Sequence, residues 1–464
     1  MSAPPRNARK PLLGAQVGLY VDMFDVYLPI VALAPAAVYF APDDISPAAN
    51  RILTAVVFAA TLLGRPLGAL IFGRLSDKSG RKRTTQTSLI GFGLTTLAIA
   101  ALPGYQQVGM IAIIALILLR FTDGIFLGGQ YTAAAPLALE HSPARKRGLY
   151  GAIIMTGFPA AYCSIALITV VLLELVPAGG LGTPYVTWGW RIPFVIGGLL
   201  ALAWALWYHR NVDESPVWKN RKSEAQHPLR ELFQGPNLRG FLQVFTLMSG
   251  VWLAFNMVGA VLPGVLRTKL PVSTVTLILV VAYAVLIGTY LLAGSLSQLI
   301  GRRPFFLLQG AATTVLSPLL FWLIARGKVS GGVAIALVTI ALVVVVVSTF
   351  AVVTTYIIER FHTGIRSSGY GLGYTTAVIV PAFYAFYQEG LATVMPYELT
   401  PLVFLAGGGL LIALGAYVGP ETREVDLGAP AAKQDADLLS GSMVGLPLSG
   451  RPRSLEGEGS ARDH

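Results

Sequence analysis

The chain has 464 residues, of which 54% are hydrophobic and only 12% are charged. Soluble domains carry about 25% charged residues, so this composition excludes a water-soluble globular protein and indicates a chain that lies in a bilayer. The formal net charge of +11 does not indicate a nucleic-acid-binding protein, because the basic residues are spread along the chain rather than gathered in one block.

Apolar runs predict the membrane-spanning elements. Runs of about 20 apolar residues, the length that crosses a bilayer, recur twelve times. The alternating stretches of about ten residues that mark a membrane β-barrel do not occur in the sequence, so the spans are predicted as α-helices. In chain order the predicted spans are 14–40, 51–73, 85–102, 108–138, 148–176, 190–208, 240–266, 274–299, 304–325, 332–358, 367–389 and 398–419.

The distribution of basic residues predicts the topology. If the N-terminus lies inside, the cytoplasmic segments hold 26 of the 34 Lys and Arg, the opposite loops 6 and the spans 2, which places both termini in the cytoplasm. The first span is predicted as a retained helix rather than a signal peptide, because it carries two Asp and lacks a small-residue cleavage site. Cys163 is the single cysteine, so no intramolecular disulfide can form.

Sequence echoes indicate an internal repeat. The segment GRLSDKSGRKR at 73–83 is echoed by GSLSQLIGRR at 294–303, with both pairs of glycines displaced by 221 residues. The segment EHSPARKRG at 140–148 is echoed by ERFHTGIRSSG at 359–369, with Glu and Arg displaced by 219 residues. A looser echo joins DESP and PETR after the sixth and twelfth spans. The repeat predicts two related six-helix halves.

The repeat and the polar stretches divide the chain into five segments. The last segment is predicted to be disordered, because it is rich in Gly, Ser, Pro and charge and has no heptad pattern. The predicted segments are a cytoplasmic N-terminal segment at 1–13, a six-helix bundle at 14–208, a cytoplasmic central loop at 209–239, a second six-helix bundle at 240–420 and a cytoplasmic tail at 421–464.

Four motifs carry a resemblance to a known family: GRPLGALIFGRLSDKSGRKR at 64–83, RFTDGIFLGGQYTAAA at 120–135, SPARKRG at 142–148 and WGWRIPF at 188–194. With them the chain resembles the major facilitator superfamily, and more narrowly the metabolite:proton symporters, which include proline/betaine, 2-oxoglutarate and shikimate carriers. The resemblance implies an all-α integral membrane protein with twelve helices in two pseudo-symmetric bundles. It further implies a monomer of the inner or plasma membrane, with helices 1, 4, 7 and 10 around a central cavity.

The resemblance also implies a cytoplasmic gate. In this reading Asp77 accepts hydrogen bonds at the N-terminus of helix 11, near Gly369, and pairs with Arg81 and Glu140. The second copy carries Gln298 in place of Asp77, so its gate is expected to be weaker. The alternative is that these charges only fix topology. The gating candidates are Gly73, Asp77, Gly80, Arg81, Glu140, Arg147, Gln298, Arg302, Glu359 and Arg366.

Charged residues inside predicted spans indicate a functional site. Asp22 and Asp25 share one face of helix 1, and Arg120 and Asp123 share one face of helix 4. A charge at the bilayer centre costs about 2.5–3.5 kcal/mol on insertion scales, so such residues usually mark substrate or proton paths. If all four meet in the cavity, three acids face one guanidinium, and the unpartnered carboxylate can carry a proton. The alternatives are a helix-end cap and a structural ion pair.

The acid of the family pattern has moved in this chain. Related carriers have Gln where this chain has Asp123, and Glu where it has Gln130, so proton coupling is either relocated or lost. Arg65 is read as snorkelling or packing, since it lies near the end of helix 2. The substrate and proton candidates are Asp22, Asp25, Arg120, Asp123, Gln130, Tyr131, Trp252, Asn256 and Tyr356.

These observations favour proton-coupled uptake of a small organic acid or zwitterion, with Arg120 binding the substrate carboxylate. An exporter and an uncoupled facilitator remain open, although helix 5 reads GFPAA rather than the GP-plus-glycine pattern of antiporters. A membrane-embedded enzyme or a transporter-like sensor is the alternative from a different class. All five His lie in loops or the tail, so the sequence predicts no metal and no cofactor, with the proton as coupling ion.

Overall fold

The structure is a computed structural model that describes residues 9–42, 47–215 and 228–430, together with Gln434. Nine helices in these ranges are long and apolar enough to cross a membrane, and three further helices complete a set of twelve. The first six are α1 (Arg9–Phe40), α2 (Pro47–Ser79), α3 (Arg81–Ala100), α4 (Met110–Glu140), α5 (Ala144–Leu175) and α6 (Tyr185–Asn211). The next four are α7 (Gly235–Arg267), α8 (Val272–Ile300), α9 (Arg302–Ala325) and α10 (Gly332–Arg360). The last two are α11, in the consecutive segments Arg366–Thr375, Thr376–Val378, Ile379–Ala382 and Tyr384–Leu391, and α12 (Tyr397–Val418).

The twelve predicted spans each coincide with one of these helices, which confirms the predicted fold class. The boundary between α2 and α3 differs from the prediction. The segment at 73–83 was expected to be a loop, yet residues 73–79 continue α2 and residues 81–83 begin α3. Only Gly80 interrupts the helices, and its φ of 105° lies in the region that favours glycine. Gly301, with φ 103°, makes the same sharp turn between α8 and α9.

Close backbone approach holds the helices of each bundle together. Glycines stand where α2 and α4 approach each other, because any larger residue would overlap the facing backbone. At Gly64, for example, a Cβ would lie only 3.0 Å from the Ile125 nitrogen. Gly250 on α7 and Gly408 on α12 make the equivalent contact in the second bundle, 2.8 Å from a Cβ on Gly408 to the Gly250 carbonyl. Small residues let helices approach where apolar burial offers little driving force, as in membranes.

The two bundles meet along α5 and α8 and along α2 and α11. Gly148 at the start of α5 faces Gly294 on α8, and a Cβ on either would lie 2.6 Å from the carbonyl oxygen of the other. Gly73 on α2 lies against the Ser368 backbone of α11 in the same way, at 3.1 Å. Both seams lie at the ends of the helices that carry the gating candidates.

The predicted disordered tail is wrong for its first ten residues. Residues 421–430, which we call the C-terminal strap, form turns packed against the helix ends, and Val425 and Leu427 are each only 3% exposed. Composition misled the prediction because the strap is ordered by contacts with distant residues rather than by its own pattern. Of the remaining tail, Gln434 alone belongs to the described residues.

Candidate functional site: a buried charge cluster, a central cavity and a paired helix-end layer

Five charged side chains lie together in the interior of the first bundle. We call Asp22, Asp25, Arg65, Arg120 and Asp123 the charge cluster; each is at most 4% exposed. Arg65 Nη2 donates to Asp22 Oδ1 at 2.8 Å. Arg120 Nη1 donates both to Asp25 Oδ2 at 3.0 Å and to Asp123 Oδ2 at 3.1 Å. The helices α1, α2 and α4 therefore join their charges inside the membrane-spanning region.

The cluster holds three carboxylates and two guanidiniums, so one negative charge is in excess when all five are ionised. The Thr96 hydroxyl, from α3, donates to Asp25 Oδ1 at 2.7 Å, so both Asp25 oxygens accept a hydrogen bond. Asp123 Oδ1 has no hydrogen-bond partner among the described residues, and neither do Nε and Nη2 of Arg120. Asp123 is therefore the least compensated carboxylate of the three.

The interpretation of Arg65 as a snorkelling or packing residue is wrong. Its side chain is buried and ion-paired with Asp22, so it does not reach water at the helix end. The sequence offered one clue, since Asp22 and Asp25 together outnumber the single Arg120 and call for a second cation. The sequence could not show that Arg65 pairs with Asp22, because α1 and α2 come together only in the folded bundle.

A cavity lies between the two bundles near the middle of the helices. The empty space within it, counted out to its open mouth, is about 670 Å³. Among the described residues, Arg65 is the one charged residue in its lining. The lining residues are Leu19, Met23, Val26, Tyr27, Ile30, Leu62, Arg65, Met155, Phe158, Trp252, Phe255, Asn256, Gly259, Ala260, Phe350 and Tyr374.

Among the described residues, helix 4 contributes nothing to the cavity lining, contrary to the expectation that helices 1, 4, 7 and 10 surround it. The described lining comes from α1, α2, α5, α7, α10 and α11, while Arg120 of α4 bonds to Asp25 of α1 and to Asp123 of its own helix. Asp22 and Asp25 also stand behind the cavity wall. Arg65, rather than Arg120, is thus the guanidinium that a ligand in the cavity can reach.

The remaining cavity candidates divide into two groups. Trp252 and Asn256 line the cavity, and their side chains donate to the Tyr374 carbonyl at 3.1 Å and the Pro381 carbonyl at 2.7 Å. These bonds satisfy backbone groups where α11 is broken into short segments.

The other two candidates with described side chains lie elsewhere. Tyr356 packs against Phe306 and accepts a hydrogen bond from Gln243 at 3.0 Å, so its placement at the cavity is wrong. Gln130 packs against Gly18 of α1, not on the cavity wall. The side chain of Tyr131 lies outside the described residues. Position along a helix alone could not separate cavity-facing from packing-facing polar residues.

The gating candidates form a layer at one side of the molecule. We call the side where α1 begins and α12 ends the terminal face. Here Glu140 is buried at the end of α4, ion-paired with Arg81 of α3 and with Arg366 of α11. The Ser215 hydroxyl also donates to Glu140, at 2.5 Å. Because Arg366 belongs to the second bundle, this group ties the two bundles together.

The second bundle repeats the arrangement with its own residues. Glu359 at the end of α10 accepts from Arg302 of α9 at 3.2 Å and from the Thr422 hydroxyl at 2.7 Å. Arg147 of α5 reaches it from the first bundle at 3.3 Å. Each buried glutamate thus binds an arginine and a hydroxyl of its own bundle and one arginine of the other.

Asp77 and Gln298 occupy equivalent positions in this layer with different chemistry. Asp77 accepts hydrogen bonds from the backbone nitrogens of Ser367 at 3.2 Å and Ser368 at 2.9 Å, and from the Ser368 hydroxyl at 2.7 Å. Gln298 Oε1 accepts from the Gly148 nitrogen at 3.0 Å. The Asp77 carboxylate brings a negative charge to the N-terminus of α11, whereas the Gln298 amide is neutral and accepts a second hydrogen bond from Arg302 Nη2 at 2.9 Å.

The C-terminal strap covers both arginines that cross between the bundles. The Val425 carbonyl accepts from Arg147 at 2.9 Å, and the Leu427 carbonyl accepts from Arg366 at 3.0 Å. Sequence reasoning missed these carbonyl contacts, since any residue type can supply them. It also missed the role of the loose DESP and PETR echo: Glu214 and Glu421 cap the first turns of α3 and α9.

His362 lies between α10 and α11 on the same face. Its Nε2 is 3.0 Å from Glu231 Oε1, and its Nδ1 accepts from the Gly364 nitrogen at 3.3 Å. Burial, together with the nearby Arg366 guanidinium, lowers the pKa of His362 to about 4. The imidazole is therefore neutral at physiological pH.

Twelve helices in two bundles, with a cavity between the bundles and paired charges across one face, define a secondary transporter. The chain belongs to the Major Facilitator Superfamily, whose family model matches residues 17–385. This confirms the family resemblance seen in the motifs, and it confirms a transporter rather than an enzyme.

Similar proteins agree with this assignment. An inner membrane metabolite transport protein of Escherichia coli (strain K12) is 30% identical over 82% of this chain and 88% of its own length. The proline/betaine transporter of the same organism is 30% identical over 80% of this chain and 75% of its own. The fold matches the proton:xylose symporter XylE bound to 6-bromo-6-deoxy-D-glucose, with a TM-score of 0.69, 16% identity and coverage of 93% of this chain and 99% of that one.

Proposed function

We propose that this transporter takes up a small organic acid or zwitterion together with protons, by alternating access and as a monomer in the inner or plasma membrane. The observation that carries the proposal is the charge cluster, in which three carboxylates share two guanidiniums and Arg65 connects the cluster to the cavity. A proton on Asp25 or Asp123 would remove the excess negative charge. Buried ionisable residues in membrane spans are characteristic of proton relays.

The distribution of basic residues supports an orientation with both termini in the cytoplasm. The terminal face would then be the cytoplasmic face, and this structure would have that face closed. Opening it requires separating Arg366 from Glu140, Arg147 from Glu359, and Ser368 from Asp77. We propose that these contacts form the cytoplasmic gate of the alternating-access cycle.

The relatives support the same class of reaction. One is named a proline/betaine transporter, and the fold neighbour is a proton:xylose symporter. Both names describe transport of a small metabolite, and the second describes coupling to protons. We extend proton coupling to this chain because its own charge cluster has the excess carboxylate that coupling needs.

The test is uptake into vesicles that contain the purified protein, with an acidic outside. Labelled carboxylates, betaines, shikimate-like acids and aromatic acids are offered in turn, and uptake by protein-free vesicles is subtracted. We expect at least one solute to accumulate above its outside concentration, and accumulation to collapse with a protonophore. The double variant Asp25→Asn/Asp123→Asn should lose accumulation.

Three outcomes separate the alternatives. Equilibration without accumulation identifies an uncoupled facilitator, and accumulation only under the reverse gradient identifies an exporter. Accumulation that survives the double variant refutes the proton site. As a matched control, Asp426→Asn removes a carboxylate on the terminal face whose hydrogen bond, from the Gly428 nitrogen at 2.9 Å, lies within the strap, and it should leave accumulation unchanged.

A further inference from the structure

We propose that the cavity selects monocarboxylates with a flat apolar body, and that Asp22 competes with the substrate carboxylate for Arg65. The inference rests on the proposed function in one respect, that the substrate enters this cavity. It goes further by naming the chemical class of the substrate and the residue that gates its binding.

The wall of the cavity is predominantly aromatic. Phe158 of α5 contacts Phe255 of α7 and Phe350 of α10, each with ring centroids 5.7 Å apart, so the rings form one surface across the two bundles. Trp252 extends this surface, 5.3 Å from both Phe350 and Tyr374. Aromatic rings pack against the flat apolar part of a ligand in offset or edge-to-face geometry. Such contacts contribute binding free energy beyond that from the apolar area they bury.

Arg65 gives the cavity its charge preference. Of the lining residues that the structure describes, it alone is charged. Its Nη2 donates to Asp22, while its Nε has no hydrogen-bond partner in the same part of the chain. A buried guanidinium with an unused donor is suited to a carboxylate, which it can bind through two parallel hydrogen bonds. The cavity is therefore built for an anionic group at one end and an apolar body at the other.

The lining disfavours a substrate with an ammonium group. Among the described lining residues there is no carboxylate to balance the positive charge of an ammonium group, and the Arg65 guanidinium would repel it. A sugar acid with several hydroxyls would leave hydroxyls unpaired against aromatic rings, which costs free energy. A quaternary ammonium could still stack on the rings by cation–π attraction, so a betaine is the competitor that the experiment must reject.

Binding of a carboxylate at Arg65 adds a negative charge beside a cluster that already has one in excess. Asp22 is faced by Arg65 from α2, by Asp25 from its own helix and by Asp123 from α4, whereas Arg120 pairs with Asp25 and Asp123. A proton taken up by Asp22 would release Arg65 and return the net charge of the group to the value it had before the substrate bound. Substrate binding and proton binding are thereby linked through one guanidinium.

The experiment measures binding to the purified full-length protein in detergent, by isothermal titration calorimetry at pH 6 and pH 8. Benzoate supplies the carboxylate and the flat body, glycine betaine the carboxylate with a quaternary ammonium, and benzamide the flat body without charge. We expect benzoate to bind at least tenfold more tightly than either of the others, and more tightly at pH 6 than at pH 8.

Two variants test the residues. Arg65→Gln should weaken benzoate binding at least tenfold, whereas Asp22→Asn should strengthen it at pH 8 and flatten its pH dependence. Arg326→Gln, which removes an exposed arginine paired with Glu398 at 3.4 Å, is the matched control and should change neither. If Arg65→Gln does not fold, Arg65→Lys and Asp22→Asn carry the test, because Lys keeps the charge but loses the two-point contact.

Some results would overturn the inference. Tighter binding of glycine betaine than of benzoate would replace the substrate class with a quaternary ammonium compound. Equal binding of benzamide and benzoate, or benzoate binding that is indifferent to both Arg65→Lys and Asp22→Asn, would remove the role of the guanidinium. Because binding is measured without a gradient or a bilayer, these results are independent of whether vesicle uptake is coupled to protons.

Discussion

Replacing Asp77 by Asn removes one charge from the closed terminal face and leaves the side-chain shape almost unchanged. The carboxylate accepts two backbone N–H groups of α11 and the Ser368 hydroxyl. Hydrogen bonds to charged groups contribute about 1.5–3 kcal/mol each, against about 0.5–1.5 kcal/mol for neutral ones. Asn also turns one acceptor into a donor that faces the N–H groups at the start of α11.

Losing the charge weakens each of these three bonds by about 1 kcal/mol, so it destabilises the closed terminal face by about 3 kcal/mol. Such a change shifts the equilibrium between closed and open faces by roughly 150-fold toward the open face. Because the change acts on a conformational step, the transport rate should fall more than substrate affinity does. Gln298 occupies the equivalent position in the second repeat and is neutral. Replacing Gln298 by Asn should therefore shift the equilibrium between closed and open faces much less than Asp77→Asn does.

The assay is double electron–electron resonance between two spin labels on the terminal face. Lys78 at the end of α2 and Arg230 in the segment before α7 are both exposed, and Cys163→Ser removes the native thiol. The parent should give one dominant distance, and Asp77→Asn should add a longer component that becomes the major one. An Asp77→Asn distribution identical to the parent, with Asp426→Asn as the charge-matched control, would refute the gating role of Asp77.

The remaining predictions concern stability and pH on the same face. Glu421→Gln weakens the hydrogen bond that the backbone nitrogen of Arg302 donates at the start of α9, and it should lower the unfolding free energy by about 1 kcal/mol. An unchanged melting temperature would show that this bond does not stabilise the protein. Gly301→Ala should cost at least about 1–2 kcal/mol, since φ is 103° and the new Cβ would overlap Glu421; a variant as stable as the parent contradicts this. Unfolded His titrates near pH 6.5 but folded His362 at about 4, so the unfolded state binds more protons between these values. Stability should therefore fall as pH drops from 6.5 to 4, and His362→Gln should reduce that slope; an equal slope would show that other groups cause it.

The fold was predictable because its signals are local. Twelve apolar runs identify twelve helices whatever their neighbours are, and the repeat at Gly80 and Gly301 marks two turns that require the same positive φ. The gating layer was predictable for a related reason. Glu140 and Glu359 sit at the same place in each repeat, so their similar partners follow from the duplication.

The cavity was less predictable because its lining depends on how helices rotate against each other. Arg65 could be placed on α2 from sequence, but its pairing with Asp22 needs the packing of α1 on α2. Tyr356 was expected at the cavity because it lies on helix 10, yet its side chain packs toward α7 and α9. When a polar side chain could face either the cavity or a neighbouring helix, tertiary contacts decide which way it points. The sequence alone carries no signal for those contacts.

The most direct test of the account is proton movement during uptake. Vesicles containing the purified protein and an internal pH-sensitive dye are given a transported solute with no imposed gradient. Coupled symport predicts that the interior acidifies on addition of solute, and that Asp25→Asn/Asp123→Asn abolishes the acidification while Asp426→Asn does not. Solute entry with no protein-dependent change of internal pH would contradict proton symport through the charge cluster.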